Sequence, residues 1–77
     1  MTIDAFIINF ESAIEGVEQG SVKADTILRD LPQFDSLATL SIIAMIDANY
    51  QTTINADDLA ACATIQDLFE TVKKKKG

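Results

Sequence analysis

The stretch LPQFDSLATLSIIAMIDANY, residues 31–50, decides the fold. Pro32 forbids a helix running through from upstream. Asp35 is the type of residue whose short carboxylate caps a helix. The pattern predicts a helix over residues 36–50, with Asp35 as N-cap and Ser36 in the first turn. With successive residues about 100° apart, Ile42, Ile43, Ile46 and Tyr50 cluster as a core face. The opposite side carries Leu37, Ala38, Ser41, Ala44, Met45 and Ala48, with Leu40 and Asp47 on one flank. That side is also mostly apolar. A helix apolar all round is either enclosed or keeps a face for a partner. A chain of 77 residues is too small to enclose one helix completely, so this face is expected to be an exposed docking patch.

The neighbouring segments also read as helices. Ile3, Phe6, Ile7, Phe10, Ile14 and Val17 form one stripe, which predicts a helix over 3–18 with Thr2 as cap and Glu11, Glu15 and Glu18 on other faces. Gly16 and Gly20 mark its end. Residues 19–35 form a long connection in which Thr26, Ile27, Leu28 and Leu31 tuck inward. Asn55 caps a short helix over 56–61. Thr64 caps the last helix, 65–74, with Asp67 completing a capping box and Ile65, Leu68, Phe69 and Val72 as its apolar stripe. The expected fold is all-α: a small four-helix bundle of three main helices and one short one, in a single domain over 1–77.

Charge and composition exclude several functions. Four of the six basic residues are Lys73–Lys76, so residues 1–72 set only Lys23 and Arg29 against all twelve acidic residues. Such a body repels nucleic acid and membrane phosphates and suits a basic protein partner. Residues 73–77 are expected to be a flexible basic tail. The longest uncharged run, Ser36 to Ile46, is too short to span a bilayer, and the N-terminus lacks the basic start of a secretory signal. The location is therefore expected to be cytoplasmic. Cys62 lies among small apolar residues and reads as a buried structural thiol.

The chain has no histidine. This excludes a Ser–His–Asp or Cys–His catalytic arrangement within it and any His-ligated metal. No catalytic residue and no metal site are expected. Ser36 thus lacks a base to activate it, while a helix N-terminus tolerates an attached phosphate well. Modification by another enzyme is favoured over catalysis in place.

At this point the sequence resembles the acyl carrier protein family, the phosphopantetheine-binding carriers. The resemblance runs from the first helix to Val72. It rests on FDSL at residues 34–37, TILRDL upstream, IDANYQTTI at the end of the second helix and ATIQDLFETV opening the last. It implies that Ser36 receives 4′-phosphopantetheine from coenzyme A through a phosphopantetheinyl transferase, and that the arm carries an acyl group as a thioester. Asp35 matches the family's constant neighbour of that serine, which helps hold the metal or contact the transferase. The second helix is the family's docking face, and Leu37 matches its apolar contact. The implied docking residues are Leu37, Ala38, Leu40, Ser41, Ala44, Met45, Asp47 and Ala48.

The implied function is an acyl carrier, itself no enzyme, serving fatty acid, lipid or polyketide-type biosynthesis. Its partners would be the transferase and acyl-loading, acyl-transfer or condensing enzymes. No nucleic acid, stable membrane insertion or oligomer is expected. A long acyl chain would shelter near Ile42, Ile46 and Ile65. Two other readings stand beside this one: an aminoacyl or peptidyl carrier, with D-alanine or a nonribosomal amino acid as cargo, and an unmodified helical adaptor binding a partner helix. The chain departs from the family in two places. Many fatty-acid-synthesis carriers have glycine two residues before the serine, where this chain has Phe34. Their second helix is studded with acids, whereas here only Asp47 lies between Leu37 and Tyr50. This favours a specialised carrier with dedicated partners.

Overall fold

A computed structural model describes residues 2–76. Four helices follow one another: α1 (Ile3–Ala13), α2 (Ser36–Tyr50), α3 (Ala56–Ala60) and α4 (Ile65–Lys76). A single 3-10 turn, Leu28–Asp30, interrupts the long connection between α1 and α2. No helix among the described residues is long and apolar enough to cross a membrane. The architecture is the expected helical bundle with one core.

Thr2 caps α1, its Oγ1 accepting from Ala5 N at 3.3 Å. Phe6 and Phe10 are wholly buried, and Ile14 closes the stripe just past the helix end. The Phe6 ring lies 5.7 Å from that of Tyr50 and meets Phe69 edge-on at 5.6 Å, which joins α1 to α2 and α4. Asn9 Nδ2 donates to the Tyr50 hydroxyl at 2.9 Å, so the polar tip of a buried ring is satisfied.

The expected extension of α1 to residue 18 is corrected. Ile14 already has extended backbone (φ −112°, ψ 117°), and Gly16 follows in the left-handed region at φ +91°. Glu11 accounts for the early reversal. It was assigned to an outer face, yet it is only 4 % exposed. Its Oε2 accepts from the N–H groups of Gly20 at 2.9 Å and Val22 at 3.0 Å. The chain must turn back after Ala13 to bring those donors over α1. A charge-assisted pair of this kind pins the first half of the connection.

The second half is pinned to the start of α4. Leu28 N donates to Ala63 O at 2.9 Å, Ile65 N to Thr26 O at 3.1 Å and Gln66 N to Ala24 O at 2.9 Å. Leu28 is buried as expected and Leu31 packs against the core, whereas Ile27 points outward, 45 % exposed. The bridge between Ile27 and Thr64 turns Ile27 away from the interior.

α2 occupies the middle and packs against α1, α3 and α4. Ala38, Ile42, Met45, Ile46 and Tyr50 are buried, with Ile43 partly covered. α3 carries a full capping box. Asn55 Oδ1 accepts from Asp58 N at 2.8 Å, and Asn55 N donates to Asp58 Oδ2 at 3.0 Å. The Thr64–Asp67 box of α4 also forms, with Asp67 N donating to Thr64 Oγ1 at 3.1 Å and Asp67 Oδ2 accepting from Thr64 N at 3.2 Å. Cys62 is buried, its Sγ 3.3 Å from Asp58 O.

The flexible tail is a second correction, for residues 73–76; Gly77 lies outside the described residues. Helix α4 continues to Lys76. Lys76 Nζ donates to Tyr50 O, at the C-terminal end of α2, at 3.0 Å. Lys75 pairs with Asp58 at 3.1 Å, and Lys73 lies over the Phe69 ring at 5.8 Å. Cations here meet the negative end of α2 and the acid of the α3 cap, so the run is held instead of trailing into solvent.

Two predictions follow from this scaffold. Glu11→Ala leaves two backbone donors without an acceptor and is expected to lower unfolding free energy by about 2–3 kcal/mol, read from denaturant curves; Glu11→Gln, which keeps one oxygen, costs less. The second concerns pH. The N–H of Asn55 and, secondly, the Lys75 ammonium hold the Asp58 carboxyl below its ordinary value of 3.8. Its ionised form is therefore the one favoured by folding. That contribution is fully present above the unfolded value and is lost as pH falls through the lower folded one. Asp58→Asn is expected to lower the melting temperature at pH 7, with the gap closing in strong acid; an equal gap at both pH values refutes the assignment.

Candidate attachment site

The head of α2 is built from the connection upward. Phe34 N donates to Leu31 O at 3.0 Å, closing the turn that contains Pro32, and the Phe34 ring packs against the core. Asp35 is then extended (φ −135°, ψ −170°), and its Oδ1 accepts from Ala38 N at 2.8 Å. Its carbonyl takes Thr39 N at 2.9 Å and Thr39 Oγ1 at 3.0 Å. These bonds fix the first turn. Ser36 opens the helix and is exposed. Among the described residues, the N–H groups of Ser36 and Leu37 meet no protein acceptor. They and the positive end of the helix offset negative charge placed on the Ser36 oxygen. Asp35 opposes it, and its carboxylate is partly engaged by the cap.

Two open hollows lie at the head of α2, one bordered by Ser36 and the other by its neighbours Asp35 and Leu37. One, of about 490 Å³, is lined by Phe34, Ser36, Thr39, Leu40, Ile43, Ala56, Leu59 and Ala60, and no charged side chain borders it. The other, of about 440 Å³, lies between the end of α1 and the head of α2 and includes Glu15, Gln33, Asp35, Leu37 and Ser41. Leu37 and Leu40 are 72 % and 64 % exposed, the most exposed large apolar side chains described.

The residues assigned to a docking face divide in two. Leu37, Leu40, Ala44, Asp47 and Ala48 are exposed, and Ser41 is half-buried. Ala38 and Met45 are buried and belong to the core. Their burial corrects the expectation of a face open across the whole arc, because α2 has neighbours on three sides and not on one. The sequence reading missed the hollow between Phe34, Ile43 and Leu59. Leu59 belongs to a segment remote in sequence, and no local pattern links it to Ser36.

The family profile described as the phosphopantetheine attachment site matches residues 8–72. The chain belongs to this family. It is a phosphopantetheine-binding carrier domain of the acyl carrier protein family. Searches of curated proteins and of solved structures return no match. Carrier domains of this family bind 4′-phosphopantetheine covalently, carry acyl or peptidyl groups on it, and are substrates of phosphopantetheinyl transferases. The head of α2 in this carrier domain fits such a group: an exposed serine with two N–H groups beside it that meet no protein acceptor among the described residues. No cluster of ligating residues suited to a metal ion exists among the described residues.

Asp35→Ala is expected to cost the carrier domain about 1 kcal/mol of stability by freeing Ala38 N, whereas Asp35→Asn, which can still accept, costs a few tenths; denaturant melts of the two variants separate these outcomes.

Proposed function

We propose that the carrier domain takes its arm at Ser36 and serves a cytoplasmic acyl pathway of the fatty acid, lipid or polyketide type. One observation carries this reading: the Ser36 hydroxyl is exposed at a capped helix head with unpaired N–H groups beside it. In the transfer, the bond from Ser36 Oγ to phosphorus forms. The phosphoanhydride bond of coenzyme A breaks, and adenosine bisphosphate leaves. The hydroxyl proton passes to a base of the transferase, since the chain has no histidine. Asp35 has two tasks in this reading. It fixes the helix head, and it offers its remaining carboxylate oxygen to the transferase or its metal.

When bound, the arm supplies a terminal thiol that holds the acyl group as a thioester at high effective concentration for each docked enzyme. The residues around Ser36 favour an apolar cargo over an aminoacyl one. Phe34, Leu40, Ile43 and Leu59 line the uncharged hollow at its side. Sheltering a chain there removes apolar surface from water at about 25 cal/mol per Å². Ile42, Ile46 and Ile65, the residues first considered for this role, are wholly buried and border neither hollow at the head of α2. Entry to them requires the core to part, which the side hollow does not.

The outer arc of α2 supports dedicated partners. Leu37, Leu40, Ser41, Ala44 and Ala48 bring no charge to it, and Asp47 brings one. A docking face of this composition depends on apolar contact near Ser36 more than on steering along the helix.

The test is intact mass after incubation with coenzyme A and a broad-specificity phosphopantetheinyl transferase. The expected result is a gain of one phosphopantetheine, absent in Ser36→Ala. No gain under conditions that load a control carrier, or a gain that survives Ser36→Ala, rejects the assignment.

A further inference from the structure

We infer that α3 is a movable lid on the hollow beside Ser36, and that the ion pair between Lys75 and Asp58 is the clasp that holds it shut. Ala56, Leu59 and Ala60 of α3 form one wall of that hollow, and α2 with the turn before it forms the other. Leu59 and Ala60 also line a second hollow of about 230 Å³, together with Leu28, Arg29, Phe34 and Cys62. α3 is therefore a wall common to both spaces, and its displacement joins them.

α3 is the least anchored of the four helices. It has five residues, too few for a helix that stands on its own backbone bonds. Among them only Leu59 is buried, whereas α1, α2 and α4 each bury three or more. The capping box of Asn55 and Asp58 lies within the segment, so it shapes the turn without holding it to the rest of the domain.

Asp58 supplies the outside tie. Its Oδ2 accepts from Asn55 N at 3.0 Å and lies 3.1 Å from Lys75 Nζ on α4. The α4 end of the clasp is itself fixed, because Lys76 Nζ donates to Tyr50 O at 3.0 Å and sets the last turn of α4 against α2. An ion pair this open to water adds little to a well-packed helix. On a helix with one buried side chain, the same small contribution decides how often the segment opens. The two side chains are 40 % and 25 % exposed, so dissolved ions screen the pair. On the attachment reading above, an apolar chain too long for the first hollow enters the second only while the lid is open. The lid itself stands without that reading.

Cys62 makes the motion measurable. It is the chain's single thiol, it is buried at the second hollow, and its Sγ lies 3.3 Å from Asp58 O. The unmodified full chain is treated with methyl methanethiosulfonate, a small neutral thiol reagent, and labelling is followed by intact mass. Amide exchange at Leu59 and Ala61, and at Ile46 as a core reference, is read by NMR. Opening at Cys62, Leu59 and Ala61 is expected to exceed that at Ile46 by about tenfold or more and to ignore low urea, which accelerates exchange at Ile46. Lys75→Ala is expected to raise Cys62 labelling by about two- to fivefold at low salt, and the gap to the wild type narrows at high salt. Lys75→Arg, which keeps the charge, stays near the wild type. So does Lys74→Ala, which removes the same charge from a lysine that makes no ion pair among the described residues. Labelling of Cys62 no faster than opening at Ile46, with the same urea dependence, overturns the lid. Lys75→Ala at the wild-type rate, or an equal rise in Lys74→Ala, overturns the clasp. Neither result bears on Ser36, and a chain that takes no arm leaves both measurements standing.

Discussion

The bond from Ala38 N to the Asp35 carboxylate sets where α2 begins, and with it the rotation of everything α2 presents. Started at Ser36, the helix turns Ala38, Ile42, Met45, Ile46 and Tyr50 inward. The same phase leaves Ser36, Leu37 and Leu40 outside. A start one residue earlier would rotate the set by about 100° and carry Leu37 towards the core. Because α2 is apolar on nearly every side, hydrophobic pattern alone chooses poorly between such phases. The polar cap makes the choice, and the turn through Pro32 and Phe34 delivers Asp35 in the extended form that a cap requires.

The long connection is ordered by the same economy. A segment of this length with no regular structure would ordinarily be mobile, since fixing each residue costs about 1–2 kcal/mol. Here Glu11 holds its first half and the backbone of Ala63 to Gln66 meets its second. The buried carboxylate is the only charged side chain described in the interior, and both donors it accepts from lie on the connection. Holding the connection holds the turn before α2, so the Ser36 end of the domain inherits its geometry from α1.

Much of this was legible in the sequence because the signals were local. Thr2, Asp35, Asn55 and Thr64 are all caps, each of them decided within four residues. The stripe Ile65, Leu68, Phe69, Val72 needed only helical spacing. The errors came where a residue answers to something distant. Glu11 sits off the apolar stripe of α1 and reads as solvent-facing until the loop donors folded over it are known. Met45 and Ala38 read as surface until three neighbours are placed around α2. Lys75 and Lys76 read as a loose tail until Asp58 and Tyr50 O stand beside them. In each case the spacing rule was sound and the missing fact was tertiary.

The candidate site divides along the same line. Ser36 and Asp35 are adjacent in the chain, so the motif and the cap found them together. Each hollow is assembled from two segments separated in the chain, residues 13–15 with 33–41 and residues 34–43 with 56–60, and their difference in charge is invisible in one dimension. A carrier must hold its cargo out of water and still release it to each enzyme it meets. In the proposed reading the uncharged hollow beside the serine serves the first need by burial, which depends little on salt. A long, uniformly acidic α2 would steer encounters from further away; with Leu37 and Leu40 exposed beside Ser36 and only Asp47 charged along the helix, contact at this end depends more on fit than on reach.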